Sequence, residues 1–396
     1  MTRFPELFRG ALSALLAVAT AAPLPAQRTA TPAPTGPHAV GRRALTWTDT
    51  ARRDPADTTR PRVIPGWVWY PADAVRGGSQ PPLDSAWNAL RATASAQKIG
   101  PAAAEAMRDI RVHAVTDAPF APSVQRAPVL LFVPGNGWLP TDYSTLLEDL
   151  ASHGYVVVGI APTGLSDVVR FADGRVVGKV LGVGAAIGTD QREAHEDMLL
   201  AIRRLADMTG PFSGRLDLTR IGVFGHSLGG TTALVAASRD TLVRAVINLD
   251  GDPMGDVRDA RPRQPVLFVS HELPSMSEAP PPPDTAWTRL TREGMVRSEA
   301  RRSGEWQAIA SQAAWSRRLR ILGMRHLNFT DAALASSLIE GPRLRWMRWG
   351  PIDGARGLRI VADVTRAFFD QVLLGIDGGE ILCEAGCAYA EVVVVP

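Results

Sequence analysis

The chain has 396 residues, of which 45% are hydrophobic and 21% are charged, and its formal net charge is +3. This composition is typical of a soluble globular protein with enough apolar material for a large core, in one or two α/β domains. Basic residues form no continuous stripe along the sequence, and nucleic-acid binding is therefore disfavoured as a function.

The first residues have the pattern of a secretory signal. Arg3 and Arg9 precede an apolar run over residues 11–22, and the small-residue segment "PLPAQ" follows it. The run is too short for a comfortable membrane span, although an uncleaved anchor is the alternative interpretation. We predict a signal peptide over residues 1–26 and a mature protein that is secreted or periplasmic. The Pro- and Thr-rich residues 27–39 then predict a flexible linker.

The next segments predict an antiparallel strand pair followed by an insertion. Residues 42–48 and 62–70 are rich in β-branched and aromatic side chains, which favours two strands. Two modest helical patterns follow within residues 82–108. We interpret them as an insertion with bounds near 71–110, and it is a candidate cover for a site.

The rest of the chain alternates between apolar, strand-like runs and amphipathic helices. The predicted strands cover residues 128–133, 155–160, 220–225, 245–250, 265–270 and 318–323; helices are predicted over 143–152 and 191–208, and a hairpin over 167–177. This alternation predicts a mostly parallel central sheet with helices on both faces. A second insertion is predicted near residues 272–304, within a single α/β domain over residues 40–396.

The segment "RIGVFGHSLGG" places a serine on a sharp turn between a predicted strand and a predicted helix. Gly225 and Gly229 lie two residues to either side of Ser227, where the strand and helix backbones approach each other and larger side chains do not fit. Such a turn raises the hydroxyl above the sheet edge and directs helix N–H groups toward an oxyanion. The pattern predicts a nucleophilic serine, and the alternative is a glycine-rich turn with a capping serine.

A serine nucleophile needs a base that accepts its proton. Of the seven histidines, His271 ends a predicted strand, and only His326, in the loop after the predicted strand 318–323, has both the order and the location expected of the base, so we predict that it is the base. The acid that orients this imidazole has two main candidates, Asp250 and Glu272, which each follow a predicted strand; Asp252 is a weaker third candidate. Sequence spacing alone does not decide among them.

Acyl transfer at a serine also needs two donors for the oxyanion. One is expected to be the backbone N–H of Leu228, directly after the nucleophile, and the other an N–H from the loop after an early strand. The loop "FVPGNGW" (132–138) fits, and we assign the second donor to Asn136, with Gly137 as the fallback. An ordinary glycine turn is the alternative. Each such donor typically contributes about 3 kcal/mol to transition-state stabilisation.

These motifs together resemble the platelet-activating-factor acetylhydrolase family of the α/β-hydrolases. The family's "GHSFGG", "LDAW" and "HQNFAD" are matched by "GHSLGG", "LDGD" and "HLNFTD", and its early glycine loop with "YS…DLASHG" is matched by "GNGWLPTDYSTLLEDLASHG". The resemblance covers most of residues 40–370. It implies the α/β-hydrolase fold, Asp250 as the acid and His326 as the base, and it supports Asn136. Pro134 stands where the family has a histidine, which leaves open how the loop is braced.

The resemblance implies a secreted serine esterase that hydrolyses short-chain or oxidised acyl esters of lipids or small molecules through an acyl-serine. It also implies calcium-independent catalysis, and the sequence holds no D-x-D-x-D-G loop, so no metal or organic cofactor is predicted. A general carboxylesterase or polyester hydrolase is the alternative, and that alternative predicts the acid near Glu272. A catalytically inactive binding protein on a hydrolase scaffold is the alternative from another class.

Three weaker patterns complete the sequence analysis. Cys383 and Cys387 are the only cysteines, and in an oxidising compartment we expect them to form a local disulfide. The segment "RLRWMRWG" (343–350) predicts tryptophans packed on the flank of the sheet, with transient contact to a lipid surface as the alternative. The glycosylation pattern "NFT" (328–330) lies beside the predicted base, where a glycan would obstruct the site, and we reject it.

Overall fold

The computed structural model describes residues 30–73, 80–181, 187–272, 292–339, 348–384 and 386–395. The predicted signal peptide lies outside these ranges, as does most of the second predicted insertion. Within them, no helix combines the length and the apolar character that crossing a membrane requires.

A ten-stranded mixed sheet forms the centre of the structure. Its strands are β1 (Ala39–Asp54), β2 (Asp57–Ala72), β3 (Val115–Thr116), β4 (Ala127–Val133), β5 (Val156–Ile160), β8 (Leu216–His226), β9 (Val243–Leu249), β10 (Val266–His271), β11 (Ser316–Ile321) and β12 (Val392–Val394). The order across the sheet is β12-β11-β10-β9-β8-β4-β5-β2-β1-β3. The predicted hairpin is a separate antiparallel ribbon, β6 (Val168–Arg170) and β7 (Val176–Gly178).

The six strands from β11 to β5 in this order are parallel to their neighbours. Strands β1 and β2 form the antiparallel pair at the N-terminal side, and β2 joins β5 in antiparallel orientation. The predicted mostly parallel sheet with an antiparallel N-terminal pair is therefore confirmed. Strand β12, which pairs antiparallel with β11, was not expected from the sequence.

Helices cover both faces of the sheet, as predicted. They are α1 (Ser85–Ile99), α2 (Pro101–Arg108), α3 (Ser144–Ser152), α4 (Ile187–Arg204), α5 (Leu228–Arg239), α6 (Arg292–Ala310) and α7 (Gly354–Phe369). In β4, Leu130 and Phe132 join the core under α3 and α7, whereas Val129, Leu131 and Val133 join the core under α4 and α5. Successive strand residues point to opposite faces, so a strand covered on both faces must be apolar throughout.

The part of the predicted flexible linker that the structure describes is held against α3. The backbone N–H and the hydroxyl of Thr35 both donate to Asp149 Oδ1 at 2.8 Å, and Gly36 N–H donates to Ser152 Oγ at 2.9 Å. His38 N–H donates to Ser152 O at 3.1 Å. These bonds hold Thr35, Gly36 and His38 within the predicted linker. Single threonine and backbone groups make them, so they leave no periodic pattern in the sequence.

The C-terminal cysteines form the expected local disulfide. Cys383 and Cys387 are joined with an S–S distance of 2.09 Å, and no free cysteine remains. The bridge closes a loop of only a few residues beside Leu382, whose carbonyl accepts from Arg317 near the start of β11, so it lies at the opposite end of that strand from the edge where β8, β9, β10 and β11 end. That carboxyl edge is where ligands of open α/β sheets bind, and the predicted site residues follow those strands.

Candidate active site

Ser227 occupies a strained backbone position between β8 and α5. Its φ is +55° and its ψ is −118°, a conformation that a side-chain-bearing residue rarely adopts. A Cβ at Gly225 would overlap the backbone of Gly229, and one at Gly229 would overlap the carbonyl of Val133. Both glycines are therefore required sterically, as the sequence pattern predicts.

The serine turn is tied to the neighbouring strand, and among the described residues the N–H of Leu228 is left without an acceptor. Ser227 N–H donates to Leu249 O of β9 at 2.8 Å, while Gly230 N–H and Thr231 N–H donate to Ser227 O at 3.0 and 3.2 Å. Leu228 is the first residue of α5, so its N–H has no partner inside the helix. In the described part of the chain it has no other acceptor.

His326 bridges the serine and an aspartate. Its Nε2 lies 3.1 Å from Ser227 Oγ, and its Nδ1 lies 2.6 Å from Asp250 Oδ2. His326 opens a 3₁₀ turn after β11, and Asp250 follows β9 directly. The serine and the histidine predicted from chain order and the aspartate implied by the family resemblance thus form one continuous hydrogen-bonded line across 99 positions of sequence.

Asp250 is buried and ionised. Burial alone would raise the pKa of this carboxyl, but the charge interaction and hydrogen bond with His271 and the hydrogen bond with His326 outweigh it and hold the pKa well below its usual range. The backbone φ of Asp250 is +54°, and its N–H donates to Val269 O at 2.7 Å. An ionised carboxylate at this position fixes the imidazole tautomer with hydrogen on Nδ1.

The other two acid candidates lie elsewhere. Glu272 Oε2 accepts Gly323 N–H at 2.8 Å and lies 3.5 Å from Arg325 Nη1, so it holds the loop before His326 and does not contact the imidazole. Asp252 pairs with Arg302 at 3.3 Å. Geometry therefore separates candidates that sequence spacing could not.

The loop after β4 offers a single unused N–H. Gly137 N–H donates to Leu165 O at 2.9 Å, and Gly137 O accepts Asp167 N–H at 3.1 Å, so the fallback donor is already engaged. The N–H of Asn136 has no acceptor among the described residues. Together with the N–H of Leu228, it matches the pair that an oxyanion would need.

A tyrosine braces this loop despite the proline at position 134. The hydroxyl of Tyr143 accepts Gly135 N–H at 3.1 Å and donates to Nδ1 of His226 at 2.8 Å. Burial lowers the pKa of His226 far below its usual range and raises that of Tyr143, so a neutral imidazole accepts from a neutral phenol. A Cβ at Gly135 would contact the side chains of His226 and Ser227, which shows how closely the loop approaches the nucleophile.

The loop that carries the base interlocks with the serine turn. The ring of Phe329 stacks on His226, with centroids 5.4 Å apart and an interplanar angle of 17°. Asn328 is buried, and its Oδ1 accepts Arg325 N–H at 2.8 Å and Gly350 N–H at 2.6 Å. The side chain that a glycan would modify is thus buried and held through its Oδ1, which agrees with the rejection of that pattern.

The same loop is anchored to α3 by a buried acid. Asp331 Oδ1 accepts Thr145 N–H at 3.2 Å, and the side chain is almost inaccessible to solvent. Burial raises the pKa of Asp331 to about 7, and the hydrogen bonds from Thr145 only partly oppose this. This carboxyl is close to the midpoint of its titration at neutral pH.

The first predicted insertion contacts the loop after β4, which contains Asn136. Lys98, near the end of α1, pairs with Asp167 at 2.5 Å and lies 3.5 Å from Asn136 O and 5.0 Å from the centre of the Trp138 ring. Residues 343–347 of the Arg/Trp segment lie outside the described residues. Trp349 is buried in the core, as the packing interpretation expects.

Among the described residues, the one group of three potential metal ligands is part of the same cluster. The ligand atoms of His226, Asp250 and His326 lie within 4.8 Å of one another. Nδ1 of His326 is already hydrogen-bonded to Asp250, and His226 accepts from Tyr143. The nitrogen of His326 that remains available, Nε2, faces Ser227 Oγ, an arrangement that suits proton transfer from the serine hydroxyl to the imidazole.

Sequence reasoning missed two residues of this cluster, His271 and Tyr143. Nδ1 of His271 lies 2.7 Å from both oxygens of Asp250. The available signal was its place at the end of β10, beside the strand that Asp250 follows. Tyr143 is five residues beyond Trp138, the last residue of the loop segment 132–138, and nothing in its spacing distinguishes it from a core residue.

A comparison with protein-family models matches residues 25–163 and 203–377 to the family described as "Platelet-activating factor acetylhydrolase, isoform II". The two segments include each residue of the hydrogen-bonded line and both oxyanion-donor candidates.

Known proteins with similar sequences are distant relatives. A probable 1-alkyl-2-acetylglycerophosphocholine esterase of Arthroderma benhamiae is 26% identical over 283 residues, which are 67% of this chain and 65% of that protein. A platelet-activating factor acetylhydrolase of Cavia porcellus is 22% identical over 68% of this chain and 62% of its own length. The chain thus spans slightly less than two thirds of these relatives.

A solved structure covers more of the chain. A ferulic acid esterase from Streptomyces cinnamoneus superposes on 93% of this chain and on 100% of its own, with a TM-score of 0.74 and 26% sequence identity. The α/β-hydrolase fold predicted from the motifs is confirmed by this likeness.

Proposed function

This chain belongs to the platelet-activating factor acetylhydrolase, isoform II, family, and from that premise we propose that it is a carboxylic ester hydrolase acting through an acyl-Ser227. The observation that carries the proposal is the unbroken line from Asp250 through His326 to the strained serine. Backbone strain, a base and an ionised acid meet at a partly exposed serine, and together they make its hydroxyl nucleophilic at neutral pH.

In the first half-reaction, Ser227 Oγ attacks the ester carbonyl carbon while His326 Nε2 takes its proton. The carbonyl π electrons move to oxygen, and the N–H groups of Leu228 and Asn136 hold the resulting oxyanion. Asp250 stabilises the imidazolium through Nδ1. The tetrahedral intermediate then expels the alcohol, which takes the proton from His326 and leaves the acyl group on the serine.

In the second half-reaction, water takes the place of the alcohol. His326 accepts a proton from the water as its oxygen attacks the acyl carbon, and the same two N–H groups hold the second oxyanion. Collapse of this intermediate breaks the bond to Ser227 Oγ, which recovers its proton from the imidazolium. The products are a carboxylic acid, an alcohol and the free enzyme.

For the substrate, we propose short-chain or oxidised acyl esters of lipids or of small molecules. The names of the Arthroderma benhamiae and Cavia porcellus relatives support an acetylated glycerophospholipid. A second candidate, a small aromatic ester, is favoured by the structural likeness to a ferulic acid esterase over almost the whole chain. Export, through the predicted signal peptide over residues 1–26, and transient contact with a lipid surface remain part of the proposal.

A fluorophosphonate probe tests the reaction class. We expect the wild-type protein to be labelled and Ser227→Ala to be unlabelled; no labelling of the wild type, or labelling that persists in the variant, would refute a serine hydrolase and favour a binding protein. Nitrophenyl esters of increasing acyl length, an acetylated and a long-chain phospholipid, and methyl ferulate then separate the substrates. We expect the short-chain nitrophenyl esters to be hydrolysed faster than the long-chain ones, and the acetylated phospholipid faster than the long-chain phospholipid. A preference for methyl ferulate would favour the second candidate.

A further inference from the structure

Two imidazoles share the carboxylate of Asp250. Oδ2 lies 2.6 Å from Nδ1 of His326 and 2.7 Å from Nδ1 of His271, and Oδ1 lies 2.7 Å from the same His271 nitrogen. Oδ1 also accepts the backbone N–H of His271 at 3.1 Å. A triad needs one imidazole on its acid, so the second one calls for an explanation.

Two N–H groups of His271 hold the carboxylate of Asp250. The backbone N–H and the ring N–H of His271 both donate to the Asp250 carboxylate, so they restrict its rotation about the Cβ–Cγ bond. Strand pairing fixes His271 itself, since it is in register with Ile321 of β11, and Asp250 N–H bonds Val269 two residues earlier. The hydrogen bonds from His271 thus connect the Asp250 carboxylate to strand β10 of the central sheet.

The geometry also separates the roles of the two rings. The centres of His271 and His326 are 6.1 Å apart with an interplanar angle of 73°, so they meet edge to face and do not stack. Only His326 contacts Ser227. The side chain of His271 is 15% exposed and that of Asp250 is 5% exposed, which places the shared hydrogen bonds away from bulk water, where they are strongest.

We propose that His271 is a positioning residue for ester hydrolysis, which aims Oδ2 of Asp250 at His326 by holding the rest of the carboxylate. The inference rests on the proposed function and extends it to a residue that touches neither the ester nor the serine. His271 acts through Asp250 alone. Its loss therefore affects the chemical step and leaves substrate binding intact.

The test compares three variants by steady-state kinetics on nitrophenyl acetate. His271→Phe removes the ring donor, and kcat is expected to fall by about 10- to 100-fold with KM unchanged, the usual cost of losing a group that orients an active residue. His271→Asn keeps an N–H near the position of Nδ1 and is expected to recover most of kcat. Ser270→Ala, one residue earlier on β10, removes a hydroxyl that bonds Leu319 O and serves as the matched control with wild-type kcat.

A double-mutant cycle identifies the route of the effect. In an Asp250→Asn background, His271→Phe is expected to cause no further loss, because the carboxylate that accepts from His326 is already absent. The inference is overturned by wild-type kcat in His271→Phe, by a change in KM alone, by an Asn variant no better than Phe, or by equal losses in both backgrounds. His271→Leu, judged by the same criteria, replaces the Phe variant if circular dichroism shows that the latter is unfolded.

Failure of this inference is distinguishable from failure of the proposed function. If the wild type neither reacts with the fluorophosphonate probe nor hydrolyses any ester of the series, ester hydrolysis itself is refuted. If the wild type is active and His271→Phe equals it, only the role of His271 is refuted.

Discussion

The identity of the acid can be tested by comparing Asp250→Asn with Glu272→Gln. In the wild type, Asp250 Oδ2 accepts from His326 Nδ1 at 2.6 Å. An asparagine whose carbonyl stays on the His271 N–H groups presents its NH₂ to the imidazole, which then turns to the tautomer with hydrogen on Nε2. That hydrogen faces Ser227 Oγ, and the imidazole no longer accepts the serine proton. We expect kcat to fall by about 10⁴-fold, or about 5 kcal/mol of transition-state stabilisation.

Glu272→Gln is the matched change, since it also replaces a carboxylate by its amide at the end of a neighbouring strand. The glutamine carbonyl can still accept Gly323 N–H. The charge that is lost lies 3.5 Å from Arg325 Nη1, on a Glu272 side chain that is 41% exposed. Such an ion pair contributes less than about 1 kcal/mol, so kcat should change by less than about tenfold.

Both variants are assayed as kcat on nitrophenyl acetate, with fluorophosphonate labelling rates as a second measure and circular dichroism to verify folding. The assignment of Asp250 would be refuted if Asp250→Asn kept a tenth or more of the wild-type kcat. It would be refuted equally if Glu272→Gln caused the larger loss, since that result would place the acid where the general carboxylesterase alternative expects it.

Two further predictions concern the frame of the site. Gly229→Ala should abolish activity and lower the thermal unfolding temperature, because its Cβ overlaps the Val133 carbonyl; wild-type activity in this variant would contradict the steric requirement. Asp331→Asn should become more stable relative to the wild type as pH rises. The pKa of the native carboxyl is about 7 and that of the unfolded carboxyl is about 4, so between these pH values the native wild type holds a proton that the unfolded chain has lost. The wild type therefore loses stability as pH rises through this range, and the asparagine variant does not. Urea unfolding at pH 5 and pH 8 should show the difference growing by on the order of 3 kcal/mol, whereas a constant difference would show that Asp331 is ionised in the fold at both pH values.

Chain order was enough to predict much of the site. The nucleophile turn carries its own local constraint, since glycines at 225 and 229 are visible in sequence and are required by the same backbone crowding that the structure displays. The base was found because only His326 lies in a loop after the last predicted strand, whereas His271 ends an earlier one. For the acid, the residues alone left three candidates open, and the family resemblance selected the one that the structure places on His326.

Most of the contacts that sequence could not predict join distant segments. Tyr143 braces Gly135 and His226, and His271 grips Asp250, although none of these pairs has a characteristic spacing. Strand β12 and the docked segment 30–38 were missed for the same reason, because each gains its structure from a partner elsewhere in the chain.

By itself, the sequence determined the alternation of strands and helices, the serine on its glycine turn and the late histidine. These are local properties, because side-chain size, β-branching and apolar periodicity act within a few residues. Only the tertiary structure decided which carboxylate meets the imidazole, which N–H groups stay unused and which second histidine holds the acid. Those outcomes depend on the register of β9, β10 and β11 and on how their loops pack at one sheet edge, and register is a property of the paired strands together.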